Sequence, residues 1–278
     1  MRDSLKKGIY ILPSLFTCAN MTFGVLSIMF SVEGQFIHAA WALVFALGCD
    51  ILDGRIARLT HTTTIFGLEL DSLSDLVSFG IAPSIMIYQL ALKNMGKAGI
   101  AIAVLFILCS ALRLARFNVM AHNNVSLENF MGLPTPASAG VLVSFVLSYE
   151  LLGPEGYTLN SRTIDILQKQ MPVFFKAMPV VMVVLSFLEV SNVPYYSFKH
   201  IKFSRFTTIR LLVVAVVLIL LVAVYPQNVF FIIFTVYALS GILTLVSKGP
   251  LHMFRYHMSR HHIFRHRTFR HHAPQETH

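Results

Sequence analysis

The sequence predicts an all-α polytopic membrane protein of about eight spans, and three observations carry that reading. Of its 278 residues 55% are hydrophobic, and the mean hydropathy is +0.68, more apolar surface than one soluble core hides. The apolar residues gather in runs of about twenty, enough at helical rise to cross roughly 30 Å of hydrocarbon. Basic residues alternate in density from one connection to the next. Arg2, Lys6, Lys7, Arg55, Arg58, Arg113, Arg116, Lys199, Lys202, Arg205, Arg210 and six more beyond Val246 fall on one side, against Lys93, Lys97, Arg162, Lys169 and Lys176 on the other. By the positive-inside rule both termini lie in the cytoplasm of a multi-pass protein of the inner, or cell, membrane.

Residues 1–12 carry Arg2, Lys6 and Lys7 with the apolar Ile9, Tyr10 and Leu12, as suits a short interfacial segment before Pro13. No small-residue cleavage pattern follows, so no removable signal peptide is expected. Spans are then expected at Ser14–Val32, Phe36–Ala57, Gly67–Leu92, Ala98–Asn118, Pro134–Leu152, Pro172–Asn192, Thr207–Tyr225 and Val229–Val246. The Pro134-Thr-Pro136 start of the fifth reads as a rigid beginning for a helix. Cys18, Cys49 and Cys109 all fall inside spans without ligand spacing, which points to packing rather than disulfides or metal. Residues 248–278 form a tail in which Arg255, Arg260, Arg265, Arg267 and Arg270 alternate with histidines and aromatics. Next to a span such a tail favours anionic lipid headgroups over a histidine metal site, and the +9 net charge that it largely supplies is not read as nucleic-acid binding.

The chemistry concentrates between Asp50 and Asp75. The second span ends in Asp50-Ile-Leu-Asp53-Gly54-Arg-Ile-Ala57-Arg58, and the third begins Gly67-Leu-Glu-Leu-Asp71-Ser-Leu-Ser-Asp75. Ionisable residues in membrane segments are costly and mark function by default. Residues three or four apart share a helix face, so Asp50 and Asp53 project together from one helix, and Asp71 and Asp75 from the next. The connection between them, near 59–66, is short enough for antiparallel neighbours. Asp50 precedes Arg58 by as many residues as Asp75 follows Gly67, which puts both about 12 Å from the same face. Acids at helix ends are also commonly solvated or paired, here with Arg55 or Arg58. Four at matched depth point instead to divalent cations, with oxygen donors suited to Mg, Mn or Ca. Paired cations are the usual device for in-line attack at phosphorus.

The pattern Asp-x2-Asp-Gly-x2-Ala-Arg-x8-Gly-x3-Asp-x3-Asp resembles, at every fixed position, the signature of the CDP-alcohol phosphotransferases, membrane enzymes of phospholipid synthesis. Leu76-Val-Ser78-Phe79-Gly80-Ile-Ala82-Pro83, Arg113-Leu-Ala-Arg116-Phe117-Asn118 and Gly132-Leu-Pro134-Thr-Pro136-Ala137 are similar to the phosphatidylserine synthase branch. The resemblance spans roughly residues 10–190. It implies a six-helix catalytic core over 13–192, to which hydropathy adds two transmembrane helices over 193–247, and it implies a homodimer. It also implies transfer of the phosphatidyl group of CDP-diacylglycerol to L-serine, giving phosphatidylserine and CMP, with two Mg2+ or Mn2+ ions held by Asp50, Asp53, Asp71 and Asp75. Asp75 is then expected to be the base that takes the serine hydroxyl proton.

For CDP-diacylglycerol the candidates are Gly54, Ala57, Arg58, Thr64, Gly67, Ser14, Thr17 and Asn20. Gly54 and Ala57 keep the acidic face shallow for cytosine or ribose, although glycine also serves close helix packing. Arg58 suits a phosphate fork, a positive-inside anchor, or both. Thr64 matches a hydroxyl that the family uses on the nucleotide, and the helix start at Gly67 turns its dipole to the diphosphate. Where the family has Pro-Asn-x2-Thr, this chain has Pro13-Ser14-Leu-Phe-Thr17. Ser14 lacks the amide, Asn20 shares a face with Thr17 and is the candidate replacement, and interhelical hydrogen bonding is an equal reading for both. For the acceptor, Arg113 and Arg116 offer cations to a carboxylate or a phosphate, with Ser78 and Asn118 beside them. Glycerol 3-phosphate or inositol phosphate as acceptor, and a transporter, are the competing readings. A transporter is disfavoured because no inverted repeat is visible.

Overall fold

The computed structural model describes residues 2–60, 64–122, 130–152, 172–195, 216, 228–241 and 243. Its elements are α1 (Arg2–Val32), α2 (Phe36–Leu59), α3 (Ile65–Asp75), α4 (Ala82–Ile87), α5 (Lys97–His122), α6 (Thr135–Leu152), α7 (Pro172–Val190) and α8 (Asn228–Gly241). The fold class is thus all-helical. Four stretches among the described residues are long and apolar enough to cross a membrane: Pro13–Val32, Phe36–Leu59, Ile65–Met95 and Lys97–Met120. Thr135–Ser148 and Asn228–Gly241 are shorter apolar helices, at the places of the expected fifth and eighth spans. The expected seventh span and the basic tail lie outside the described residues, Val216 excepted.

α1 and α2 form a tight hairpin. Gly34 has φ 78°, a left-handed conformation that glycine adopts without a Cβ penalty. It lets Gly34 N–H donate to the Ser31 carbonyl and Gln35 N–H to that of Phe30 at 2.8 Å, which closes the helix end as αL caps do. Ala39, Ala40 and Ala46 are fully buried, and small residues of this kind let membrane helices approach closely.

The third crossing is not one regular helix. α3 gives way to a π-helical turn, Leu76–Ile81, then α4, then a second π-helical turn, Tyr88–Leu92. Pro83 at the start of α4 cannot donate to a helical partner, and π turns commonly accompany functional helices. The Gly24 face of α1 lies directly against this turn, since a Cβ there meets Ser78 Cα at 2.9 Å. α6 is buried on every side from Ala137 to Ser148 and so forms the centre of the bundle, as a helix apolar all round must. A short antiparallel pairing, Phe130 with Tyr195 and Met131 with Pro194, joins the start of α6 to the end of α7. It is reinforced by Gly132 N–H to Val193 O at 3.0 Å and Leu133 N–H to Leu188 O at 2.9 Å. The three cysteines are free thiols. Large apolar side chains such as Leu15, Phe45, Leu108, Leu112 and Phe187 face outward, the arrangement that lipid tolerates and water does not.

Candidate functional site

α2 and α3 bring their acids together. One carboxylate oxygen from each of Asp50, Asp53 and Asp71 lies within 4.8 Å of the others. Asp53 is buried at 5% exposure, and Asp53 Oδ2 and Asp71 Oδ1 are buried with no hydrogen-bond partner among the described residues. Unpaired carboxylate oxygens this close repel strongly where the dielectric is low, and oxygen-only donors suit a hard divalent cation. The donor set therefore fits the ions expected from the sequence. Asp75 sits one turn beyond Asp71, beside Asp50, outside the trio that converges within 4.8 Å. Its Oδ1 accepts from Asn20 Nδ2 at 3.3 Å.

α1 closes one side of this cluster. Thr17 is buried, its hydroxyl donates to Pro13 O at 3.1 Å, and it stands next to Asp53. Its own carbonyl accepts from Ser74 Oγ at 3.0 Å. Asn20 is fully buried, with Oδ1 left unpartnered. Ser14 and Ala57 are half-buried. The face over Gly54 is open, because a Cβ there would meet only Arg58 Nη2, at 3.7 Å. The exposed Arg58 folds back along its helix, Nε donating to Gly54 O at 2.6 Å, and so holds its guanidinium over that face. Thr64 is the N-cap of α3, and its hydroxyl accepts Gly67 N–H at 3.0 Å. That gives a local reason for both residues, since the first amide groups of a helix need such partners.

The residues expected around the acceptor do not all gather in one place. Arg113 is 8% exposed, Nη1 donates to Thr135 Oγ1 at 2.8 Å, and Nε is buried without a partner among the described residues. The charged groups around it include Glu189 and Asp75. Arg116, three residues on, turns instead to the end of α7, with Nη1 donating to Val190 O at 3.2 Å and to Asn192 Oδ1 at 3.0 Å. A cation over the last carbonyls of a helix is favourable for the helix itself. Ser78 is fully buried and donates to Asn20 O at 2.9 Å. Asn118 accepts from Ser72 Oγ at 3.0 Å and donates to Glu69 Oε2 at 3.2 Å. These last three brace neighbouring helices.

Sequence reasoning passed over Glu189. It is fully buried and accepts from Ser110 Oγ at 2.7 Å and from Ser138 Oγ. Its signal was present: a single acid within the apolar run from Val180 to Val193, which marks function by default in a membrane segment.

Residues 10–188 match the family model described as CDP-alcohol phosphatidyltransferase. The chain is 36% identical over 235 residues to a CDP-diacylglycerol–serine O-phosphatidyltransferase of Helicobacter pylori, covering 84% of this chain and 91% of that protein. It is 39% identical over 150 residues to an archaetidylserine synthase of Methanothermobacter thermautotrophicus, 53% of this chain and 63% of the other. Over 137 residues it is 39% identical to a CDP-diacylglycerol–serine O-phosphatidyltransferase of Mycobacterium leprae, 48% of this chain and 45% of the other. With the acidic signature on two adjacent helices and a family match across most of its length, the chain belongs to the CDP-alcohol phosphatidyltransferase family.

Proposed function

We propose that the chain transfers the phosphatidyl group of CDP-diacylglycerol to the hydroxyl of L-serine, releasing CMP. The observation that carries this is the convergence of Asp50, Asp53 and Asp71 within 4.8 Å beside Asp75, in a chain whose relatives are serine phosphatidyltransferases and an archaetidylserine synthase. Asp50, Asp53, Asp71 and Asp75 would hold two divalent cations, Mg2+ or Mn2+. Bound there, the ions supply positive charge to the diphosphate and to the departing CMP.

The remaining roles belong to the chain itself. Asp75, oriented by Asn20, takes the proton from the serine Oγ, a contribution of typically 10²–10⁴ in rate for general bases. The serine oxygen attacks the β-phosphorus, and the bond from that phosphorus to the CMP oxygen breaks. Gly54 and Ala57 keep the α2 face low enough for the nucleoside, and Arg58 pairs with a phosphate at the mouth. Ser14, Thr17, Thr64 and Gly67 shape the nucleotide end. Arg113, a buried cation with an unpaired Nε near Asp75, receives the serine carboxylate. Arg116, Ser78 and Asn118 support this wall by tying helices together.

In the same reading residues 1–12 lie at the interface, 13–192 form a six-span catalytic domain, 193–247 add two spans and 248–278 are a cytoplasmic tail. The site faces the cytoplasm of the inner membrane, and the protein works as a homodimer. Purified protein stripped with chelator and resupplied with Mg2+ or Mn2+ is to release CMP from labelled CDP-diacylglycerol when given serine. Equal release with glycerol 3-phosphate or inositol phosphate overturns the choice of acceptor, and no release with any acceptor overturns the enzyme.

A further inference from the structure

Glu189 lies in the last turn of α7, one residue past the stretch that the family model matches. It is fully buried, and its two carboxylate oxygens are held from two different helices. Ser110 of α5 donates to Oε2 at 2.7 Å, and Ser138 of α6 is hydrogen-bonded to Oε1. Each of these serines is three residues from a member of a second bridge: Ser110 from Arg113 on α5, and Ser138 from Thr135 on α6. Residues at that spacing share a helix face. Arg113 Nη1 closes the second bridge on Thr135 Oγ1 at 2.8 Å, while Ser138 Oγ also reaches Thr135 O at 2.9 Å. Three helices thus meet at one carboxylate, with one guanidinium a turn away.

A carboxylate enclosed by apolar helices is costly unless it is compensated, and Arg113, one turn from Ser110 on α5, is the cation whose charge acts on it. Among the described residues Arg113 in turn has the carboxylates of Glu189 and Asp75, with Arg116 and Tyr237, in its surroundings. Of these, Asp75 belongs to the reacting site. Arg113 Nε is buried and has no hydrogen-bond partner among the described residues, so the guanidinium carries a donor not used by its own supports.

We infer that Glu189 is a positioning residue for the acceptor: it holds Arg113 back from Asp75, so that the guanidinium stays available to the incoming serine carboxylate. This rests on the serine-transferring function proposed above. Without the negative charge at 189, Arg113 is drawn to Asp75, where it competes with the acceptor.

The test is steady-state kinetics of the full-length protein in detergent–lipid micelles, with CDP-diacylglycerol and serine varied separately. Glu189→Gln keeps the size of the side chain and removes its charge. It is to raise KM for serine about tenfold or more, the scale of one charge-assisted hydrogen bond, with KM for CDP-diacylglycerol within about twofold. Glu189→Asp, which keeps the charge, is to recover most of that loss. In an Arg113→Gln background Glu189→Gln is to add little, because the two act as a unit. A folded Glu189→Gln whose serine KM is unchanged, or which raises both KM values alike, overturns the inference. Should Glu189→Gln not survive extraction, Ser110→Ala and Ser138→Ala each remove one support of the carboxylate. A serine KM that rises in either sustains the inference, and one that moves in neither overturns it. Wild-type protein that turns over no serine at all defeats the functional reading itself, and this role falls with it.

Discussion

At the scale of single residues, the site sets four acids against very few compensating groups on the chain. Asp53 Oδ2 and Asp71 Oδ1 have no partner among the described residues, whereas Asp75 is bound by the Asn20 amide at 3.3 Å. In the proposed mechanism this asymmetry corresponds to different work for acids that look alike in sequence. Asp75→Asn preserves shape but cannot accept a proton, so turnover is expected to fall by roughly 10²–10⁴ while CDP-lipid binding is largely kept, as separate rate and binding measurements will check. Asn20→Ala removes the group that orients Asp75. Losing a hydrogen bond to a charged acceptor costs about 1.5–3 kcal/mol, so kcat is expected to drop roughly 10–100-fold. An unchanged kcat means that the Asn20 amide does not set the geometry of the base. The acids and their spacing were legible in the sequence because a helix face follows from residue number alone. The partners of Ser78, Asn118 and Arg116 were not, since each bonds to a helix distant in sequence and no local pattern specifies which one.

At the scale of elements, the third crossing shows where periodicity stops being a guide. Hydropathy predicts one continuous helix over Gly67–Leu92, and the stretch Ile65–Met95 is long and apolar enough to cross a membrane, but with π-helical turns at Leu76–Ile81 and Tyr88–Leu92. Each such turn winds wider than an α turn and so shifts the face presented beyond it. The first follows directly after Asp75 and brings Ser78 against α1, where its hydroxyl donates to Asn20 O at 2.9 Å. Gly24 permits that approach, since a Cβ there meets Ser78 Cα at 2.9 Å and Cβ at 3.1 Å. Gly24→Ala therefore forces α1 from the turn. The expected cost is about 1–3 kcal/mol, as for other overpacked contacts, seen as a lower unfolding midpoint in detergent, together with slower turnover as Asn20 withdraws from Asp75. A midpoint equal to that of wild type means that the contact yields without strain.

At the scale of the whole molecule, orientation is argued from charge alone, because the helices themselves are apolar along their length. The cytoplasmic reading predicts that Thr60 and Gly96, at opposite ends of the third crossing, lie on opposite sides of the membrane. Single cysteines at these positions, in a background lacking Cys18, Cys49 and Cys109, are expected to label oppositely with an impermeant maleimide in sealed inside-out vesicles, Thr60→Cys reacting and Gly96→Cys protected. The reverse pattern places the acids on the outer side and removes them from cytoplasmic serine. The helices that complete the bundle have a second consequence. α8 lies beyond the family-matched segment, yet Tyr195 donates to Ala238 O at 3.3 Å and packs at a tilt against Tyr237 with ring centroids 5.4 Å apart. The described residues of α8 are therefore packed onto the bundle through Tyr195.

By itself the sequence determined that the chain is helical with stretches long and apolar enough to cross a membrane, and that its acids pair on the faces of two neighbouring helices. Both follow from local quantities: the length of an apolar run, and the spacing at which residues share a helix face. Only the tertiary structure decided which acids converge, that Arg113 and Arg116 part company, and that Glu189 stands behind Arg113. Those outcomes depend on the rotation of each helix about its own axis and on which helix it meets, and both are set by packing between segments dozens of residues apart.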